Sequence, residues 1–262
     1  MDPESGGWRR YWVTCETILT KEVERFSRIW VLTSLPSVIT TGLYFVIFGR
    51  LIGDRIGPMD GLAYLDFIVP GLVLMAVITN SYSNVVSSFY SSKFSRYVEE
   101  LLVAPVPNWV ILGGYVAGGV ARGLTVGAAV LLVSLLFSEV RVHSPTVTLL
   151  VVLMTSVLFS LGGFINAAYA NSFDDISIIP TFVLTPLTYL GGVFYSIALL
   201  PPFWQTVSLA NPVLYMVNGF RYGLSGVSDI PLGPTFAIIG GFILVLIWYS
   251  LRLLRRGVGI KT

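Results

Sequence analysis

The chain reads as an all-α polytopic membrane protein with six transmembrane helices, and three observations carry that reading. Of its 262 residues, 55% are hydrophobic and only 11% are charged. Apolar residues run on for the roughly 20 positions that a helix needs to cross a bilayer, and they do so in six places. Only one charged side chain, Arg122, sits deep inside such a run. Six spans and their connections consume nearly the whole chain, leaving no room for a soluble domain of about 100 residues. A single cysteine, Cys15, excludes an intrachain disulfide.

The N-terminal part, residues 1–28, is expected to be a polar tail followed by an amphipathic helix. Trp8, Tyr11, Trp12, Cys15, Ile18, Leu19, Val23 and Phe26 recur at three- and four-residue steps, with Arg9, Arg10, Glu16, Lys21, Glu24, Arg25 and Arg28 on the other face. Tryptophans opposite basic residues describe a helix lying in the membrane interface. The start lacks the basic region, apolar core and cleavage site of a signal peptide, so the first span is expected to serve as an uncleaved signal.

Residues 29–262 hold the six spans. The first covers Ile29–Gly49, with Pro36 as the expected kink, and a loop through Arg50, Asp54 and Pro58 follows. The second, Tyr64–Phe89, turns polar at Asn80, Ser81, Ser83, Asn84, Ser87 and Ser88, so that part faces protein or water rather than lipid. A short charged helix over Ser92–Ala104 is closed by Pro105 and Pro107. Spans three and four cover Trp109–Phe137 and Val147–Tyr169; span five covers Ile176–Ile197 and carries Pro180 and Pro186. Leu199–Pro234 is apolar and aromatic but cut by prolines and glycines into pieces too short to cross, which predicts an outer re-entrant or interfacial hairpin of short helices. The sixth span, Thr235–Leu251, ends at a basic cluster.

Charge sets the orientation. With a cytoplasmic N-terminus, the inner side holds Arg9, Arg10, Lys21, Arg25, Arg28, Lys93, Arg96, Arg252, Arg255, Arg256 and Lys261, against Arg50, Arg55, Arg141 and Arg221 outside. That asymmetry satisfies the positive-inside rule and places both termini in the cytoplasm.

Chemistry-bearing residues are sparse. His143 lies alone in a short turn, and no GxSxG, HExxH or GxxxxGK[ST] pattern occurs, so neither metal nor cofactor binding nor catalysis is expected of this chain. Arg122 stays protonated and cannot relay a proton. It lies roughly 20 Å into span three, where a structural pairing with Asp66 or with helix-end carbonyls competes with a role toward an anionic substrate. Around it, Gly114 and Gly118 form one stripe and Gly119, Gly123 and Gly127 an adjacent one, a pattern that lets helix backbones approach closely, within the subunit first of all. Lys93 to Leu102, with Arg96, Glu99 and Glu100, has the form of a helix that docks into a cleft of a soluble partner. A carrier that needs no ATPase and a membrane anchor without transport are the competing classes.

Several strings give the chain a family likeness. GGVFYS is followed by LPP and then NPVLYMVNGFR over Leu190–Arg221, and IVPGL, EELLVAPVP and FDDIS stand at Ile68, Glu99 and Phe173. With the amphipathic N-terminal helix, the inner charged helix and the outer hairpin, the whole chain resembles the membrane (permease) subunit of a bacterial type 2 ABC exporter. The resemblance implies a bacterial inner-membrane protein working as a pair of membrane subunits, a homodimer as the first expectation. Two copies of a separate ATPase would supply ATP and Mg chemistry. It implies ATPase contact by the N-terminal helix (Lys21, Arg25), by Lys93, Arg96, Glu99 and Glu100, and by Asp174 and Asp175. It implies a substrate pathway along spans two and five, with Asn80, Asn84, Thr181, Thr185, Thr188 and Tyr189 as candidates, capped by Phe203, Trp204, Tyr215 and Arg221 of the hairpin. A path with so little charge suits an amphipathic cargo: a lipid, a lipid-linked glycan or a hydrophobic drug.

Overall fold

A computed structural model describes residues 3–98, 106–139 and 141–257. Among them the only regular structure is helical, apart from one isolated bridge between Met59 and Leu62. Helix α1 runs Pro3–Arg28. The first span is a relay of pieces: α2 (Trp30–Thr33), α3 (Leu35–Tyr44) and a π-helical stretch Phe45–Ile52, leading into the short α4 (Gly53–Ile56). The break falls at Ser34, two residues before Pro36, because a proline fits only in the first turn of the helix that follows it.

Helix α5 (Tyr64–Phe94) is the axis of the molecule. Its 31 residues reach five beyond the expected end at Phe89 and absorb Ser92 and Lys93, which the sequence reading gave to the separate charged helix. The chain then turns at Arg96, in a left-handed conformation (φ 60°), and helix resumes at Tyr97 and Val98. Glu99, Glu100 and the rest of the expected Ser92–Ala104 helix to its end lie outside the described residues. Helices α6 (Asn108–Ser134) and α7 (Pro145–Tyr169) follow at the expected places.

The expected fifth span differs most. Ile176–Ile197 is not one long helix: α8 (Asp175–Ile179), a π-helical turn (Pro180–Leu184) and α9 (Thr185–Tyr189) run on to a turn at Gly191-Gly192. Pro186 has no N–H to give, and Thr185 Oγ1 donates instead to the Pro180 carbonyl five residues back (3.0 Å). The hairpin segment consists of α10 (Pro202–Leu209) and α11 (Pro212–Ser225), neither of spanning length. Helix α12 (Leu232–Arg256) is longer at both ends than expected. Five helical segments among the described residues are long and apolar enough to cross a membrane: Trp30–Gly49, α5, α6, α7 and α12.

Packing centres on α5, which lies against α6, α7 and α11. The glycine stripes of α6 explain how helices come so close without a hydrophobic drive between them. At Gly114 and Gly118 a Cβ would sit 2.7 Å from Ile18 and 2.5 Å from Glu22, so this stripe receives α1. At Gly127 it would sit 2.5 Å from Val77, and at Gly123 it would collide with Ser81, so the second stripe receives α5. The ladder is spent inside the subunit. The polar run of α5 correspondingly faces protein: Asn80, Ser81, Asn84 and Ser88 are buried.

Candidate functional site

Those of the residues expected to meet an ATPase that lie among the described ones gather at one end of the bundle, where α5 and α7 finish and α8 begins. Lys93 Nζ donates to the carbonyls of Ala168 (3.0 Å) and Ala170 (2.7 Å), a cation closing the C-terminus of α7. Phe173 stacks edge-on against Tyr90 (centroids 4.8 Å) and packs on Phe94, fixing the loop that carries Asp174 and Asp175. Asp175 accepts the N–H groups of Asn171 (2.8 Å) and Ser172 (3.1 Å), while its own N–H donates to Ser172 Oγ. Asp174 and Arg96 are exposed on this end. Lys93 and Asp175 therefore shape the surface; Arg96 and Asp174 are free to touch a partner.

Lys21 and Arg25 sit on the same end; Lys21 is exposed there, while Arg25 turns inward onto α5. Glu22, fully buried, pairs with Arg25 Nη2 at 3.0 Å. Its carboxylate also accepts from Asn84 Nδ2 (3.2 Å) and, through a very short hydrogen bond, from Ser88 Oγ. Arg25 reaches further into α5, donating to Asn84 Oδ1 (2.8 Å), the Asn84 carbonyl (2.9 Å) and Ser87 Oγ (3.3 Å). Lys21 lies over the ring of Tyr97, 4.8 Å from its centroid, and burial holds its pKa below the ordinary lysine value. The sequence reading passed over Glu22, yet a signal was there. Four residues from both Ile18 and Phe26, it is a carboxylate on the apolar stripe of α1.

Deep in the bundle, Arg122 is buried and is not partnered by Asp66. Its Nη2 donates to Asn80 Oδ1 and to the Thr33 carbonyl, both at 3.2 Å. The Thr33 carbonyl is left open by the break in the first span, and the guanidinium fills that place. Asp66 instead accepts a very short hydrogen bond from Ser138 Oγ. Fourteen residues, about 21 Å along α5, separate Asp66 from Asn80, which is why the two ends of that helix find different partners.

At the other end Arg221 is enclosed rather than exposed on a cap, with 1% of its surface accessible. It donates from Nη2 to the Gly192 carbonyl (2.6 Å) and from Nε to the Phe67 carbonyl (3.3 Å), and its guanidinium lies 3.8 Å from the Phe67 ring centroid. Asn218 Oδ1 accepts from the Asp229 N–H (3.0 Å), and Asp229 in turn holds Ser196 Oγ (3.1 Å). Arg221 thus ties α11 to the start of α5 and to the turn after α9. Tyr215 donates to the Leu209 carbonyl (2.8 Å), bracing α10 on α11. Phe203 and Trp204 are exposed.

The two expected halves of a pathway do not meet. Asn80 and Asn84 point into the subunit, whereas Thr181, Thr185 and Tyr189 are exposed and Thr188 is buried against its own turn. What faces outward instead is a groove of about 230 Å³ between α3 and α5, lined by Ser37, Thr40, Thr41, Tyr44, Met75 and Thr79 among others. The Tyr44 and Tyr189 hydroxyls, 3.3 Å apart, join α9 to its rim. Among the described residues, no group of three or more His, Cys, Asp or Glu could hold a metal ion.

Comparison with known proteins agrees with this architecture. The chain is 57% identical to the inner membrane transport permease YadH of Escherichia coli K12 over 252 residues, covering 96% of this chain and 98% of that protein. More distantly, it is 24% identical over 215 residues to nodulation protein J of Rhizobium meliloti, covering 82% of each. Residues 14–225 match the ABC-2 type transporter family. The chain belongs to that family: it is the permease subunit of an ABC exporter, and the ATP hydrolysis that drives it resides in a separate ATPase partner.

Proposed function

We propose that this inner-membrane permease works as a pair of membrane subunits, with both termini in the cytoplasm, and moves an amphipathic molecule outward by alternating access. The observation that carries the reading is the contrast between filled interior and open fringe. Every strongly polar group of α5 is taken up inside the subunit, while the hydroxyl-lined groove between α3 and α5 and the exposed residues Thr181, Thr185 and Tyr189 face outward. A second membrane subunit facing that fringe would enclose a path bearing hydroxyl and aromatic groups without fixed charge. Such a path accommodates lipid-like cargo and leaves small ions unsolvated. The stretch Asp175–Tyr189 counts here as a sixth crossing, completed by the turn and hairpin that follow it. Two π-helical stretches flank the groove, and such insertions are tolerated where a helix has to bend.

The ATPase contact is assigned to Arg96 and Asp174, on a surface shaped by Lys93 and Asp175, and to Glu99 and Glu100. Motion of the ATPase would enter α5 directly, since Arg96 follows that helix by two residues. The test is co-reconstitution with the co-purifying ATPase, comparing wild type with Arg96→Glu/Asp174→Lys. Export is expected to fall at least tenfold while the variant inserts normally and ATPase pull-down weakens. Unchanged export and pull-down would remove this face as the contact.

A further inference from the structure

The hydroxyl groups of the groove between α3 and α5 are not equivalent. Thr41 donates to the Ser37 carbonyl (2.8 Å) and Thr79 to the Met75 carbonyl (2.9 Å), each spending its proton on its own helix. Tyr44 is engaged with Tyr189. Ser37 is different. Its Oγ accepts from Asn80 Nδ2 (3.0 Å) and, among the described residues, donates to nothing. The carbonyl four residues back, which helical hydroxyls ordinarily use, belongs to Thr33 and already holds Arg122. Behind Ser37 the bonds run in one direction. Arg122 donates to Asn80 Oδ1 (3.2 Å), Asn80 donates to Ser37, and the Ser37 proton is left for the groove that the residue lines. Hydrogen bonds aligned head to tail polarise one another, so the last donor carries part of the cation's pull. Thr40, three residues on along the same face, lines the groove too and has no partner among the described residues.

The charge at the back of this chain of bonds is not neutralised. Among the described residues no carboxylate pairs with Arg122, while Arg25 has Glu22. Two neutral acceptors, Asn80 Oδ1 and the Thr33 carbonyl, solvate the guanidinium without cancelling its charge. Arginine keeps its proton, and an ionised group within a span is costly unless something answers it. A free hydroxyl donor alone would serve a sugar or an ester as well; the unanswered charge decides for an anion. We propose that the groove selects cargo with an acidic headgroup, an oxyanion carried on an apolar chain, which Ser37 and Thr40 bind by hydrogen bonds and Arg122 favours from behind the wall. Arg122 determines specificity without touching the cargo. The inference rests on the reading of this groove as the cargo path, and it narrows amphipathic cargo to acidic cargo.

The experiment is native mass spectrometry of the purified full chain in neutral detergent, titrated with lysophosphatidic acid and with monoacylglycerol of the same acyl chain, which differ only in the phosphate. Lysophosphatidic acid is expected to be retained about tenfold more tightly. Arg122→Gln should bring it down to the level of monoacylglycerol and leave monoacylglycerol unchanged, whereas a merely structural Arg122 would move both alike. Arg122→Lys, which keeps the charge, should keep the preference. Should Arg122→Gln lower the melting temperature, Ser37→Ala serves as the second variant, with a smaller loss of the same preference. Thr79→Trp, which fills the groove and leaves the donor chain intact, should abolish retention of both lipids. Equal retention of the two lipids, or a preference untouched by both Arg122→Gln and Ser37→Ala, would overturn the acidic headgroup and leave the cargo-path reading standing. Retention of neither lipid, or retention undiminished in Thr79→Trp, would count against the groove itself and so against both. Displacement of the lipid by equimolar inorganic phosphate would give the site to a free anion and overturn the inference as well.

Discussion

Helix α5 and the first span cross the same thickness of membrane and are built in opposite ways. In the apolar window of α5, 78% of residues are buried within the subunit; in that of Trp30–Gly49, 11% are. Lipid tails are as apolar as leucine, so hydrophobicity does not separate the two. Close approach and polar pairing do. Helix α5 has glycine-lined neighbours and Asn80, Asn84 and Ser88 bonded to Arg122, Arg25 and Glu22. The first span has two such ties, both in its first half, the Thr33 carbonyl on Arg122 and Ser37 Oγ on Asn80, and an aromatic cluster of Tyr44, Phe48, Tyr189 and Phe194 at its end. A subunit made this way has a closed interior and a fringe left to meet lipid, cargo or a second copy. It also suggests which part moves: the stretch with π-helical turns and few ties.

The comparison breaks most completely at Arg221. Arg221→Ala removes the group that joins α11, the turn after α9 and the start of α5, leaving the Phe67 and Gly192 carbonyls and the Asp229 charge without their cation. Breaking a buried charged network of this kind costs about 3–5 kcal/mol. Folded yield in detergent is expected to drop severely, as read by size-exclusion of a fluorescent fusion. A monodisperse peak of wild-type height would show that the two ends of the subunit do not depend on this clamp.

A smaller break is Gly163→Ala in α7. A Cβ at Gly163 would stand 2.5 Å from the Tyr82 carbonyl, which belongs to the backbone of α5 and cannot rotate away. Overpacking of about 1–3 kcal/mol is expected, seen as a lower melting temperature with unchanged helical content. A melting temperature equal to wild type would mean that α5 and α7 can slide apart freely, and that α5 is not the fixed axis.

How much of this was legible beforehand follows the same division. Five of the six expected spans fall on long apolar helices, with ends up to five residues off, because a run of apolar side chains leaves a helix few other places to be. The glycine stripes of α6 were visible as well, and their use inside the subunit followed. What could not be read was which polar groups meet. Arg122 was given either Asp66 or helix-end carbonyls; it takes the Thr33 carbonyl at the end of α2, with Asn80 beside it, and no spacing rule says which carbonyl a break at Ser34 will open. Arg221 was placed in an outer hairpin, cut by prolines, that the family likeness made a cap on the pathway. Those prolines fold the segment back so that the arginine turns inward. The fifth span was drawn as one helix through Pro180 and Pro186, where hydropathy is blind to the loss of N–H donors. Glu22 was the one avoidable miss, since its stripe was already drawn through Ile18 and Phe26.

The mildest test lies on the fringe itself. Gly241 in α12 has open space where a Cβ would go, and its helix is only 22% buried across its apolar window. On a helix face touching nothing, replacing glycine by alanine removes backbone freedom from the unfolded chain and stabilises by about 0.5–1 kcal/mol. Gly241→Ala should therefore raise the melting temperature slightly, the opposite sign to Gly163→Ala one helix away. The sign carries the information. A rise in the purified permease would confirm that this face of α12 is turned to lipid or detergent. A fall comparable to that of Gly163→Ala would mean that α12 is packed against another chain in the assembly, and would move the subunit contact from the α3 and α9 side to this one.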